Sequence, residues 1–210
     1  AGKEMEDPRF TDIANCHAET AMRVLLRPDG SCNHIGILDP ETGEVISLPG
    51  GQGYGEGSSW SRGQAWAVYG FALAFLHTGN QEFLDAAKRA AHYFLANVAM
   101  TGYVSLVDFR APKKPVYWDT TATACAACGL LQIAEMVPEF EKDLYYDGAV
   151  KMLMALSEAH CDWNLKTDGI LQNGTAAYWR DTDRHVPIIY GDYFYVEGIL
   201  KLLGKEFMIW

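Results

Sequence analysis

The sequence predicts an all-α fold of helical hairpins joined by long loops, and three observations carry that reading. Six segments repeat apolar residues at a spacing near 3.6 or carry helix caps and stops. Gly- and Pro-rich stretches with only short strand signals separate them. No strands alternate with the helices in the way a parallel sheet requires.

The first helix is read over Asp12 to Leu26, where Ile13, Cys16, His17, Thr20 and Val24 share helical spacing. Arg27-Pro28-Asp29-Gly30 stops it. Asn33 to Ile46 reads as a hairpin turning at Asp39-Pro40-Glu41-Thr42-Gly43. A second helix spans Ser59 to Phe75, with Ser61 and Gln64 matching a capping box. Thr78-Gly79-Asn80 breaks the chain before a third helix that ends near Asn97. Asp119 reads as the N-cap of a fourth helix reaching Glu135, with Pro138 beyond it. A fifth helix covers about Glu139 to His160, and a sixth runs from about Asp192 to Leu203, closed by Gly204. Residues 169–188 read as irregular. No shift of composition marks a boundary, so residues 1–210 are expected to form a single domain.

With 210 residues, 49% hydrophobic and 21% charged, the chain can bury a sizeable core and is not disordered. Its 17 basic and 27 acidic side chains give a net charge of −10. That excludes a basic stripe able to displace phosphate counterions, so neither nucleic acid nor an anionic membrane surface is an expected partner. The longest apolar run, Ala65 to Leu76, is interrupted by Tyr69 and Gly70 and falls far short of the ~20 residues that span a bilayer. Five cysteines form no disulfide framework, and an odd count mildly favours a reducing compartment such as the cytoplasm. Cys125 and Cys128 make a CxxC among small residues, with no second pair or histidines to complete a zinc site; core packing is the plainer reading. Residues 1–10 are charged and polar and carry no signal-peptide pattern.

The stretch Gly50 to Gly57 lacks the lysine of a P-loop and the third glycine of a dinucleotide fingerprint. A loop whose backbone approaches something closely is the better reading. The six histidines form no HExxH, no G-x-S-x-G elbow occurs, and the sequon at Asn173 has no secretory context. Trp60, Trp66, Tyr69, Phe71 and Phe75 crowd one helix, and Arg62 lies four residues before Trp66 on the same face. Two readings of Arg62 stay open: a structural ion pair, or a bidentate partner for a sugar carboxylate beside aromatic platforms. Asp108, Asp119 and Asp192 are the candidate carboxylates for glycoside chemistry, but none pairs convincingly with another. Asp119 and Asp192 read first as helix caps, while Asp108 has no evident task.

Several blocks occur together and in order: Arg27-Pro-Asp-Gly-Ser31 with His34, Gln52-Gly-Tyr54, and Ser59-Trp-Ser-Arg-Gly-Gln-Ala-Trp66 through Phe71. They continue with Asp119-Thr-Thr-Ala-Thr-Ala-Cys125-Ala-Ala-Cys128 and Ile188-Ile-Tyr-Gly-Asp-Tyr-Phe194. The set resembles glycoside hydrolase family 88, the unsaturated glucuronyl hydrolases, with the unsaturated rhamnogalacturonyl hydrolases of family 105 as nearest competitor. The resemblance implies an (α/α)6 barrel of which this chain supplies about half, the C-terminal portion, with Glu206 to Trp210 as a family-like end. It also implies that no catalytic residue lies here, since the family's active-site aspartates are expected upstream. Substrate-binding positions implied by the resemblance are His34, Gln52, Trp60, Arg62 and Trp66, with Trp60 and Trp66 stacking on sugar and His34 relaying a proton or binding substrate. The implied reaction needs no metal and no organic cofactor. A carboxylic acid protonates C4 of a Δ4,5-unsaturated uronate, water adds at C5, and the resulting hemiketal opens with release of the remaining saccharide. Where sulfate-preferring members carry Ser-x-x-Ser-x-Lys, this chain has Thr175-Ala-Ala-Tyr178-Trp-Arg180, leaving Arg180 as the candidate sulfate contact. A non-catalytic saccharide-binding module using the same residues is the alternative from another class. Half a ring of helices would also expose apolar faces and favour self-association.

Overall fold

Six helices carry the described residues of the computed structural model, which are residue 2, residues 4–164 and residues 166–205. They are α1 (Pro8–Leu25), α2 (Ser61–Thr78), α3 (Gln81–Val98), α4 (Thr120–Ala134), α5 (Glu139–Ala159) and α6 (Ile189–Leu202). The expected family-like end, Glu206 to Trp210, lies outside the described residues. Between α1 and α2 an antiparallel hairpin pairs β1 (Ile37–Leu38) with β2 (Val45–Ser47), in the register Ile37 opposite Ser47. Asp39 holds its turn by accepting the Glu41 and Thr42 N–H groups, at 2.9 and 2.8 Å.

α4 is the centre of the packing: all fifteen of its residues are buried, and α2, α5 and α6 close on it. Small residues make this approach possible. A Cβ on Gly129 would lie 2.9 Å from the Tyr69 backbone, and one on Gly148 would lie 2.7 Å from Leu95 Cδ2. α3 backs α2 and α5 backs α4, so α2, α4 and α6 form an inner row with α3 and α5 outside. α1 sits against α2 and α3 at the flank and has no buried residue. No helix among the described residues is long and apolar enough to cross a membrane. No disulfide joins the cysteines among the described residues; Cys125 and Cys128 are packed in the core, and the Cys128 thiol donates to Phe194 O.

Three local expectations need correction. α1 begins at Pro8, four residues before Asp12, because the Asp7 carboxylate accepts Arg9 N–H and Pro8 occupies the first turn without needing a donor. The capping box at Ser61 and Gln64 does not form. Ser61 Oγ donates to Val107 O, while the buried Gln64 amide bonds Cys32 N, Gly30 O and Ala90 O. Asp192 does not cap α6, which starts at Ile189; its carboxylate instead accepts Ile170 N and Leu171 N, at 2.9 and 2.7 Å. Asp119 does cap α4, accepting Ala122 N–H at 3.4 Å.

Candidate functional site

The loops that precede α2, α4 and α6 converge, and short backbone pairings fix them first. Trp60 lies opposite Asp108 in an antiparallel bridge, with Ser61 N donating to Val107 O and Phe109 N to Ser59 O at 3.0 and 2.9 Å. From that bridge the buried Asp108 carboxylate accepts three backbone N–H groups: Tyr54 at 3.0 Å, Ser59 at 3.1 Å and Arg110 at 2.9 Å. The glycine-rich loop can reach it because Gly53 has no side chain; a Cβ there would sit 2.7 Å from Asp108 Oδ2. Gly51, at φ +58°, likewise lies so close to His34 that a Cβ would come within 2.3 Å of Nδ1. His34 Nδ1 lies 2.9 Å from Gly50 O and accepts Gln52 N–H at 3.0 Å in one tautomer, or donates to Gly50 O in the other.

A second anchor lies beneath the α2 start. Arg62 is 3% exposed and forks onto Asp119, Nε to Oδ2 at 3.2 Å and Nη2 to Oδ1 at 3.0 Å. Nη2 also donates to Thr175 O at 2.7 Å, so one guanidinium ties α2, the α4 cap and the 169–188 loop together. Burial pushes the Asp119 carboxyl up from the usual carboxylate range, and the Arg62 guanidinium opposes that shift. Trp60, 2% exposed, fills the space above, with the Arg62 guanidinium 5.2 Å, the His34 ring 4.3 Å and the Trp66 ring 5.5 Å from its ring centroid.

The two loops are latched directly. Gln52 Nε2 donates to Ala176 O at 2.6 Å, Tyr178 N to Gln52 O at 2.9 Å, and the Trp179 indole N–H to Tyr54 O at 2.7 Å. The Tyr54 and Trp179 rings stack at 5.4 Å with 28° between planes. Their junction encloses a depression of about 370 Å³ whose walls include His34, Gln52, Trp179, Arg180 and Asp183. His34 also borders a second depression of about 420 Å³, walled by Trp66, His17 and Phe71 between α1 and α2.

Of the residues singled out in the sequence, His34, Gln52 and Arg180 thus share one depression and Trp66, 47% exposed, lines its neighbour. Trp60 and Arg62 lie beneath, at 2% and 3% exposure. Tyr178 is buried against Trp60 and Val107, and Arg180, exposed and 3.6 Å from the Asp183 carboxylate, is the cationic group on the rim. Trp179, 65% exposed, walls the same depression, and the sequence marks it only as an indole beside Arg180 in an irregular loop. Among the described residues no cluster of three or more His, Cys, Asp or Glu is placed to hold a metal ion.

No family model matches the chain. It is 37% identical over 206 residues to the unsaturated glucuronyl hydrolase of Bacillus sp. (strain GL1), covering 96% of this chain and 54% of that protein. To the unsaturated chondroitin disaccharide hydrolase of Streptococcus pyogenes serotype M1 it is 31% identical over 217 residues, covering 96% of this chain and 51% of that protein. The crystal structure of the unsaturated glucuronyl hydrolase of Bacillus sp. GL1, described as responsible for glycosaminoglycan degradation, matches with a TM-score of 0.90 and 37% identity over 96% of this chain and 54% of the other. That of a Streptococcus agalactiae unsaturated glucuronyl hydrolase mutant in complex with dGlcA-GalNAc6S matches with a TM-score of 0.88 and 28% identity over 100% of this chain and 56% of the other. The hairpins of helices around a loop-built cleft therefore define an α/α-barrel type of protein. Within that class the chain is similar in sequence and fold to part of the unsaturated glucuronyl hydrolases, and the rhamnogalacturonyl alternative is not favoured. The chain spans about half the length of the curated relatives it matches.

Proposed function

We propose that the protein acts on oligosaccharides ending in a Δ4,5-unsaturated glucuronyl residue, of the kind polysaccharide lyases release. The observation that carries this reading is the convergence of His34, Gln52, Trp179 and Arg180 on one depression of about 370 Å³. An aromatic wall covers the apolar face of a sugar ring, and a rim guanidinium suits a carboxylate or sulfate. His34, Gln52, Trp66 and Arg180 line the cleft in this reading, and Trp60 and Arg62 hold that lining in place. The His34 nitrogen not engaged with Gly50 and Gln52 is the group left to hydrogen-bond the substrate or relay the proton of water.

The chemistry is hydration: a proton goes to C4, hydroxide from water to C5, and the hemiketal opens so that the remaining saccharide leaves. Asp108 and Asp192 spend their carboxylates on backbone N–H groups and Asp119 on Arg62, so the reading gives the proton transfer to none of the three. That same observation favours a second reading for this chain, saccharide binding without turnover. We also propose that the chain pairs with a second copy through the apolar faces left open on α1 and α6.

Calorimetric titration with a lyase-generated unsaturated disaccharide, against its saturated counterpart, tests the reading. Selective binding is expected, and a folded sample that binds neither sugar overturns it. Following the enoate absorbance in the same samples separates the two readings. Decay identifies a working acid among these residues, whereas binding without decay supports the binding-only reading.

A further inference from the structure

Asp108 is a buried carboxylate that the hydrolase chemistry leaves without a task, yet its partners lie far away in sequence. One acceptance, from Arg110 N–H, closes a local turn; the other two come from Tyr54 and Ser59, 54 and 49 residues earlier. A carboxylate offers about four acceptor sites and bonds backbone N–H groups more strongly than a neutral oxygen does. The middle of the glycine-rich loop and the residues that leave it are therefore pinned to the 107–110 segment. Arg110 adds to this, since its Nη1 donates to Gly57 O at 3.1 Å while its Nη2 reaches Asp29. The loop meets the carboxylate without slack at Gly53, whose missing side chain leaves no room for a Cβ between Asp108 Oδ2 and Ser58 Oγ, 2.7 and 2.9 Å away.

What Asp108 fixes is carried one residue further. Beside an edge contact with the Tyr178 ring at 4.9 Å, Trp179 makes two contacts with Tyr54, an indole hydrogen bond to Tyr54 O and a stack on the Tyr54 ring. Both depend on where Tyr54 sits, and Tyr54 N–H is held by Asp108. We propose that Asp108 is a positioning residue for saccharide binding: it sets Tyr54, and through Tyr54 it sets the indole face that a sugar ring meets beside His34 and Gln52. This rests on the reading of that depression as a saccharide site.

Asp108→Asn tests it, because the amide keeps the shape but turns one acceptor oxygen into a donor facing backbone N–H groups. Gly53→Ala strains the same contact from the other side. Leu156→Val, in the packing of α5, serves as a control for general destabilisation. Affinity for the unsaturated disaccharide is measured for all three, with thermal midpoints, together with amide hydrogen exchange. The two cleft variants are expected to bind on the order of tenfold more weakly, and their Tyr54 and Ser59 amides to exchange on the order of tenfold faster. The control should leave both values unchanged at a comparable fall in midpoint. Equal affinities in Asp108→Asn, Gly53→Ala and the control would overturn the proposal. If the unaltered protein binds no saccharide, the functional reading fails on its own. Exchange at Tyr54 and Ser59 then still decides whether Asp108 holds the loop, and unchanged rates would overturn that as well.

Discussion

Arg62 and Asp119 meet with both charges out of water, and that burial decides how each would behave alone. Removing the guanidinium leaves a buried carboxylate without its ion-pair partner and Thr175 O without its donor. Arg62→Ala is accordingly expected to cost about 3–5 kcal/mol in urea unfolding. Arg62→Lys should recover part of that, because an ammonium restores the charge but not the fork. A loss near zero for Arg62→Ala would show that the pair contributes nothing to holding the loops. The sequence left this residue between ion pair and carboxylate binder, since the i, i+4 spacing to Trp66 reports a shared face and says nothing about residues 119 and 175. Gln64 is hidden from the sequence for the same reason: Cys32, Gly30 and Ala90, which its amide bonds, stand 26 to 34 residues away. Asp192 likewise pins a loop 21 and 22 residues upstream. His34, Gln52 and Arg180 were legible only through resemblance, because a cleft assembled from distant loops leaves no local period to read.

At the scale of elements, burial on every side changes what a helix sequence looks like. α4 has no polar face to alternate with an apolar one, so its run of Ala, Thr, Cys and Gly was recognisable by composition and by the Asp119 cap, not by a stripe. α1 shows the opposite case, and the spacing of Ile13, Cys16, His17, Thr20 and Val24 makes it readable directly. At Gly129 the α2–α4 crossing leaves no room for a side chain, a Cβ there lying 2.9 Å from the Tyr69 backbone. Gly129→Ala, favourable for helix propensity alone, is expected to destabilise by about 1–3 kcal/mol through overpacking against Tyr69. Chemical denaturation measures it, and a stabilised variant would mean that α2 and α4 can part without loss.

For the molecule as a whole, the two flanks differ from the centre. α1 buries nothing fully, and Phe10 and Ile13 on it, with Ile189, Tyr190 and Val196 on α6, stand exposed. The relatives that match the chain are about twice its length. With a second copy as the proposed occupant, light scattering after size exclusion should give a mass that rises with concentration. Ile13→Lys combined with Val196→Lys should return the monomer mass. A monomer at every concentration would overturn the pairing.

The latch between Gln52 and Ala176 has a consequence in time. Its two halves are 124 residues apart in the chain. A ribosome adding about 5–20 residues each second needs roughly 6–25 s to pass from one to the other. During that interval Gln52 has no acceptor at Ala176 and Tyr54 no indole to stack on, while Arg62 gains Asp119 before it gains Thr175. The cleft is thus completed late in synthesis, and any chain released before Ala176 to Arg180 are added lacks one of its walls.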